Sequence, residues 1–201
     1  MVGRRLPRLL ADGICHCVQT VQLVTPICET YNRRAMPILD ERALDFISHA
    51  PEQTVRLGMR LGELLAPGDV LCLRGDLGSG KTTFVSGLAR GWGALEAATS
   101  PTFVLVNEYR RADGRRMFHL DCFRLKSGAE ALAFGFEDVL AEEGVTVIEW
   151  PEHIAEVLPA ERLTLSLRWV DTEKRNFRLD ANGGRYESLL KEFRRAAFGG
   201  S

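Results

Sequence analysis

Apolar positions along the chain alternate between two periods, and that alternation outlines an α/β domain. Between Glu52 and Leu65, leucines recur at 57, 61, 64 and 65, one stripe of an amphipathic helix that Ala66-Pro67-Gly68-Asp69 stops. Val70-Leu71-Cys72-Leu73 follows as a short, wholly apolar run, the mark of a strand buried on both faces. Thr82 to Arg90 returns to helical spacing through Phe84, Val85 and Leu88. Phe103–Arg111 and Arg115–Leu125 are two β-rich runs about Asp113-Gly114, which predicts a hairpin. A two-residue turn there would pair Tyr109 with Phe118 and Val106 with Asp121. Ser127 to Glu143 reads as helix in pieces, interrupted at Gly128 and Gly135. Val145-Thr146-Val147-Ile148 is a second buried-type strand, and Leu163–Val170 and Asn176–Asp180 are two more. Arg185 to Ala197 closes the chain as a helix with Leu189, Leu190 and Phe193 inward. These elements predict one α/β domain with a mixed sheet over residues 38–201.

The chain is organised around Gly75-Asp76-Leu77-Gly78-Ser79-Gly80-Lys81-Thr82, which fits the phosphate-binding loop pattern G-x-x-x-x-G-K-[ST]. Its setting between a buried strand and a helix is the one the motif requires. The glycines let backbone N–H groups curl round an anion, the helix N-terminus adds partial positive charge, and Lys81 adds a full one. The Thr82 hydroxyl is a candidate Mg²⁺ ligand. The second signature of such proteins is an apolar strand ending in an acid, and Glu149 ends Val145–Ile148. Thr102, about twenty residues beyond Lys81, stands where nucleotide switches place a hydroxyl near Mg²⁺ and the γ-phosphate. Asp121 is an acid inside a strand-like run and needs a partner there. It either pairs with Arg124 or orients a water at the γ-phosphate. No Asn-Lys-x-Asp accompanies the loop, which disfavours guanine specificity.

A formal charge of −1 gives the whole molecule no bias towards nucleic acid, and no apolar run reaches the length of a membrane span. Charge is nonetheless segregated. Ser127 to Glu161 holds nine carboxylates and no Lys or Arg, whereas Arg162 to Ser201 holds nine basic residues against five acids. Of five cysteines, Cys72 and Cys122 sit in apolar runs as core residues, and Cys15, Cys17 and Cys28 lack paired zinc-site spacing. An odd count points to a reducing cytoplasm. Residues 1–37 carry Arg4, Arg5 and Arg8 but no apolar periodicity, and read as a disordered extension or the product of an upstream start codon, with Met36 as the alternative start.

Four segments in order, Gly75–Thr83 (GDLGSGKTT), Thr99–Phe103 (TSPTF), His119–Leu125 (HLDCFRL) and Val147–Glu152 (VIEWPE), resemble the TsaE family of P-loop ATPases. The resemblance covers roughly residues 38 to 197. It implies a three-layer P-loop fold with a mixed central sheet between helices, MgATP binding and slow ATP hydrolysis. It also implies action with TsaB and TsaD proteins in making threonylcarbamoyladenosine at position 37 of tRNA. TsaD is there the transferase, and no direct nucleic-acid binding is expected of the TsaE member. By motif, Asp76, Leu77, Gly78, Ser79, Gly80 and Lys81 would cradle phosphates, and Thr83 would face the α-phosphate. Thr82 and Glu149 would serve Mg²⁺, Thr102 the switch, Asp121 the attacking water, and Trp150 would flank the site. Cys122-Phe123 departs from the family's more usual apolar residue and Tyr, and residues 1–37 have no counterpart. A small-molecule kinase, with Arg110, Arg111, Arg115 and Arg116 as a lid, and a non-hydrolysing ATP-dependent binding module are the rival readings.

Overall fold

Val70–Arg74, the strand that feeds the phosphate loop, lies in the middle of a seven-stranded sheet. The computed structural model describes residues 41–99, 101 and 105–199, so residues 1–37 and Thr102 lie outside the described residues. In chain order the elements are β1 (Ala43–Ser48), α1 (Pro51–Gly62), β2 (Val70–Arg74), α2 (Lys81–Trp92), β3 (Val106–Arg110) and β4 (Arg116–Asp121). Then come α3 (Gly128–Ala133), α4 (Phe136–Ala141), β5 (Gly144–Glu149), a 3-10 helix (Pro151–Val157), β6 (Arg162–Trp169), β7 (Arg175–Asn182) and α5 (Gly184–Phe198). The strand order is β1-β7-β6-β2-β5-β4-β3. β6, β2, β5 and β4 are parallel, and antiparallel β7, β1 and β3 extend the two sides. This is the three-layer, P-loop-type architecture.

Side chains alternate faces along each strand, so the parallel strands supply two cores. Leu71, Leu73, Val145, Val147 and Leu165 meet α1, α2 and α5 on one face. Val70, Cys72, Leu120 and Ile148 meet α3, α4 and the 3-10 helix on the other. Burial pushes the Cys72 and Cys122 thiols up to about 12, which leaves them unreactive core residues. Gly58 and Gly62 of α1 face Gly87 and Gly91 of α2, each pair spaced i, i+4 on one helix face. A methyl at Gly58 or Gly87 would strike the facing backbone carbonyls of Phe84 and Val55. That backbone-to-backbone contact clamps α2, and with it the loop at its N-terminus.

The hairpin differs from the sequence expectation by one residue. Tyr109 pairs with Met117 and Val106 with Leu120. The loop has three residues, because Gly114 takes a left-handed conformation (φ +85°) and Arg111 N–H bonds to Arg115 O across it. Packing agrees, since Tyr109 and Met117 share one core while Phe118 and Leu120 enter the other. Gly128 begins α3 instead of interrupting it, and β1 and the 3-10 helix carried no clear sequence signal.

The arginines of that hairpin do not form a lid. Arg116 stands in register with Gly144 at the start of β5, whereas Asp121 stands in register with Glu149 at its end. Arg116 therefore lies about 17 Å from the phosphate loop's end of the sheet at ~3.3 Å per residue. Arg110 pairs with Glu108, Arg111 and Arg115 with Asp113, and Arg116 with Glu142.

Candidate nucleotide site

Gly75, Gly78 and Gly80 all have positive φ (+142°, +77° and +101°), so the loop leaving β2 takes a path that L side chains resist. At Gly75 a Cβ would also meet Leu167 O of β6 and come within 2.7 Å of Ser79 Oγ. At Gly78 it would meet nothing within 4 Å, so this position borders open space. Ser79 N–H bonds to Asp76 O (3.1 Å), and α2 begins at Lys81, where first-turn N–H groups have no intrahelical acceptor.

Lys81 is only 5 % exposed. Its Nζ donates to the carbonyls of Gly75 (2.6 Å) and Asp76 (3.1 Å) and lies 4.0 Å above the Trp150 ring. Burial pulls the ammonium below the ordinary lysine pKa, against the opposing charges of Glu149, Asp121, Glu152 and Asp76. Trp150 is itself held at φ 57°, ψ 49°, a left-handed conformation that costs a bulky side chain roughly 1–3 kcal/mol. Its N–H bonds to Leu73 O (3.2 Å), and its ring packs on Phe123 (5.0 Å) and His153 (6.2 Å). Phe123 thus works as an apolar ring against Trp150, a role that needs no hydroxyl.

The two acids arrive on neighbouring strands. Glu149 is buried, and its Oε1 lies 3.1 Å from Nε2 of the equally buried His119. Asp121 Oδ1 accepts the Phe123 N–H at 2.9 Å, so its partner is its own turn. Asp121, Glu149, Trp150, Lys81, Thr82, Thr83, Leu77, Gly78 and Gly80 line one open cleft of about 250 Å³. Leu77 stands 89 % exposed at the loop's tip, Asp76 contributes its carbonyl to Lys81, and Ser79 is buried behind the loop. His119 had no separate sequence signal, because its partnership with Glu149 depends on the β4–β5 register.

The donor set fits a phosphate chain with Mg²⁺. Lys81 and the first residues of α2 border the cleft, where a Cβ at Gly78 would meet no atom within 4 Å. Thr82 and Glu149 share the cleft, and Mg²⁺ typically takes one or two protein oxygens and fills its shell with phosphate and water. Among the described residues no group of three His, Cys, Asp or Glu could hold a metal by itself.

The sequence model of the family described as "Threonylcarbamoyl adenosine biosynthesis protein TsaE" matches residues 48–177, nearly two thirds of the chain. The chain belongs to the TsaE family. It is 38 % identical over 146 residues to the tRNA threonylcarbamoyladenosine biosynthesis protein TsaE of Bacillus subtilis (strain 168), covering 72 % of this chain and 90 % of that one. With the TsaE of Treponema pallidum (strain Nichols) it shares 42 % over 123 residues, 61 % and 89 % of the two chains. The crystal structure of Bacillus subtilis YdiB superposes with a TM-score of 0.65 at 34 % identity, over 77 % of this chain and 95 % of that one. The TsaE match spans every cleft residue named above. Among the described residues no helix is long and apolar enough to cross a membrane.

Proposed function

We propose that this TsaE-family chain binds MgATP in the P-loop cleft, hydrolyses it slowly, and so serves tRNA threonylcarbamoyladenosine synthesis in the cytoplasm. Its partners would be TsaB- and TsaD-type proteins, with the transfer chemistry and the tRNA contact left to them. The observation that carries this reading is the convergence of Lys81, Asp121 and Glu149, from three separate segments, on one cleft. The names of the relatives support the pathway.

Lys81, the α2 N-terminus and the loop N–H groups would hold the phosphates, with Thr83 at the nucleoside end. Thr82 and Glu149 would hold Mg²⁺, which supplies neutralisation of phosphate charge. His119 keeps Glu149 oriented, and Trp150 lies against the Lys81 ammonium. Asp121 would orient the attacking water, with Thr102 as the switch residue. The kinase reading loses its lid, since the arginines sit at the other end of β4.

The test is multiple-turnover formation of the modified nucleoside on tRNA by purified TsaB- and TsaD-type proteins with a threonylcarbamoyl donor. Synthesis that requires both this chain and ATP supports the proposal. Synthesis that is indifferent to the chain contradicts it.

A further inference from the structure

We propose that Tyr109 and Asn107 are positioning residues for hydrolysis: they clamp Thr99 and so set where the segment carrying Thr102 starts. This rests on the reading that Thr102 is the switch residue of the P-loop cleft. Tyr109 is buried on β3, and its hydroxyl holds both backbone polar groups of Thr99. It accepts the Thr99 N–H at 3.2 Å and donates to the Thr99 carbonyl at 3.0 Å. Asn107 Nδ2 donates to the same carbonyl (3.2 Å) and to the Tyr109 hydroxyl (3.3 Å). The hydroxyl thereby uses its one donor and both acceptor sites. In the apolar core a phenyl ring would pack as well, so the hydroxyl is the part that packing does not explain.

The clamp stands on the same sheet face as the candidate metal acid. Asn107 and Tyr109 are two residues apart on β3 and share one face. Asn107 is the register partner of His119 on β4, and the Tyr109 and His119 ring centroids are 6.3 Å apart. His119 in turn lies 3.1 Å from Glu149. One row of side chains therefore joins Glu149 to the backbone of Thr99. Two residues beyond Thr99 is the buried Pro101, whose ring fixes its φ, and Thr102 follows it. Three residues reach about 10 Å at most, so an anchor at Thr99 limits the reach of the Thr102 hydroxyl. A segment anchored in advance has less freedom to lose when it closes on the nucleotide, and that saving lowers the barrier to hydrolysis.

Single-turnover ATP hydrolysis and MgADP affinity test this, measured on the full chain and on Tyr109→Phe, Asn107→Ala, Thr102→Val and the Tyr109→Phe/Thr102→Val pair. Tyr109→Phe keeps the ring and should hydrolyse about tenfold more slowly with MgADP affinity unchanged. Asn107→Ala should show the same split with a smaller loss. In the Thr102→Val background Tyr109→Phe should cost nothing more, because the clamp acts through the Thr102 hydroxyl. The same loss in that background would mark a merely structural bond and overturn the proposal. A wild-type rate in Tyr109→Phe overturns it as well. Should Tyr109→Phe lose the fold, the same cycle on Asn107→Ala decides, with the same two results against the clamp. If Thr102→Val hydrolyses at the wild-type rate, the switch reading itself falls and the clamp with it.

Discussion

Asp121 and Glu149 are register partners at the C-terminal ends of the adjacent parallel strands β4 and β5, on the face that carries α2. Both carboxylates favour the charged form of the buried Lys81, yet their own surroundings differ. Glu149 is buried against His119, whereas Asp121 is half-buried and bound to a backbone N–H. On the proposed function, that difference would divide their labour.

Glu149→Gln keeps the shape and loses the charge. It should weaken Mg²⁺-dependent nucleotide binding by about tenfold while metal-free binding stays close to wild type. Asp121→Asn should bind MgATP nearly normally and hydrolyse it about a hundredfold more slowly. Titrations with and without Mg²⁺, joined to single-turnover assays, check both. Should Asp121→Asn lower the melting temperature and leave turnover intact, Asp121 is structural and Thr102 becomes the candidate for holding the water.

Lys81 carries a pH signature. Its folded pKa lies below that of the unfolded chain, so between the two values the unfolded state binds more protons and stability rises with pH. Bound phosphates would restore the proton. Calorimetric ATP titrations at alkaline pH, in two buffers of different ionisation enthalpy, should show proton uptake that vanishes at neutral pH. Buffer-independent heats at both would contradict it.

His119 should act through Glu149. His119→Phe removes the 3.1 Å contact and should raise the Mg²⁺ concentration for half-maximal nucleotide binding about tenfold, with His119→Gln recovering part of the loss. Equal Mg²⁺ dependence in wild type and both variants would assign His119 to packing alone.

A chain beginning at Met36 should keep its melting temperature and ATPase activity. The residues before it lack the apolar periodicity needed to offset an ordering cost of roughly 1–2 kcal/mol per residue. A fall of more than a few degrees would show that they pack on the domain.

What could be read from sequence followed burial. Val70–Leu73 and Val145–Ile148 stand out because strands covered on both faces carry unbroken apolar runs, and β5 is buried at every position. The α1 stripe was visible by its helical period, the loop by its glycine and lysine spacing, and the acid by its place at the end of β5. β1 was not, because it is half-exposed: Leu44 and Phe46 pack inward while Ile47 faces solvent. The hairpin register failed on one backbone angle at Gly114, and one residue of slip exchanges the faces of a strand. A partnership that crosses strands, such as His119 with Glu149, depends on register that no local spacing reports.

The most direct test of the central claim is MgATP binding by wild type and Lys81→Ala, followed by calorimetry with circular dichroism as the check on folding. Wild type should bind and turn over ATP slowly, and Lys81→Ala should keep the same spectrum while losing measurable nucleotide affinity. Near-normal affinity in a folded Lys81→Ala protein would contradict the assignment of the cleft.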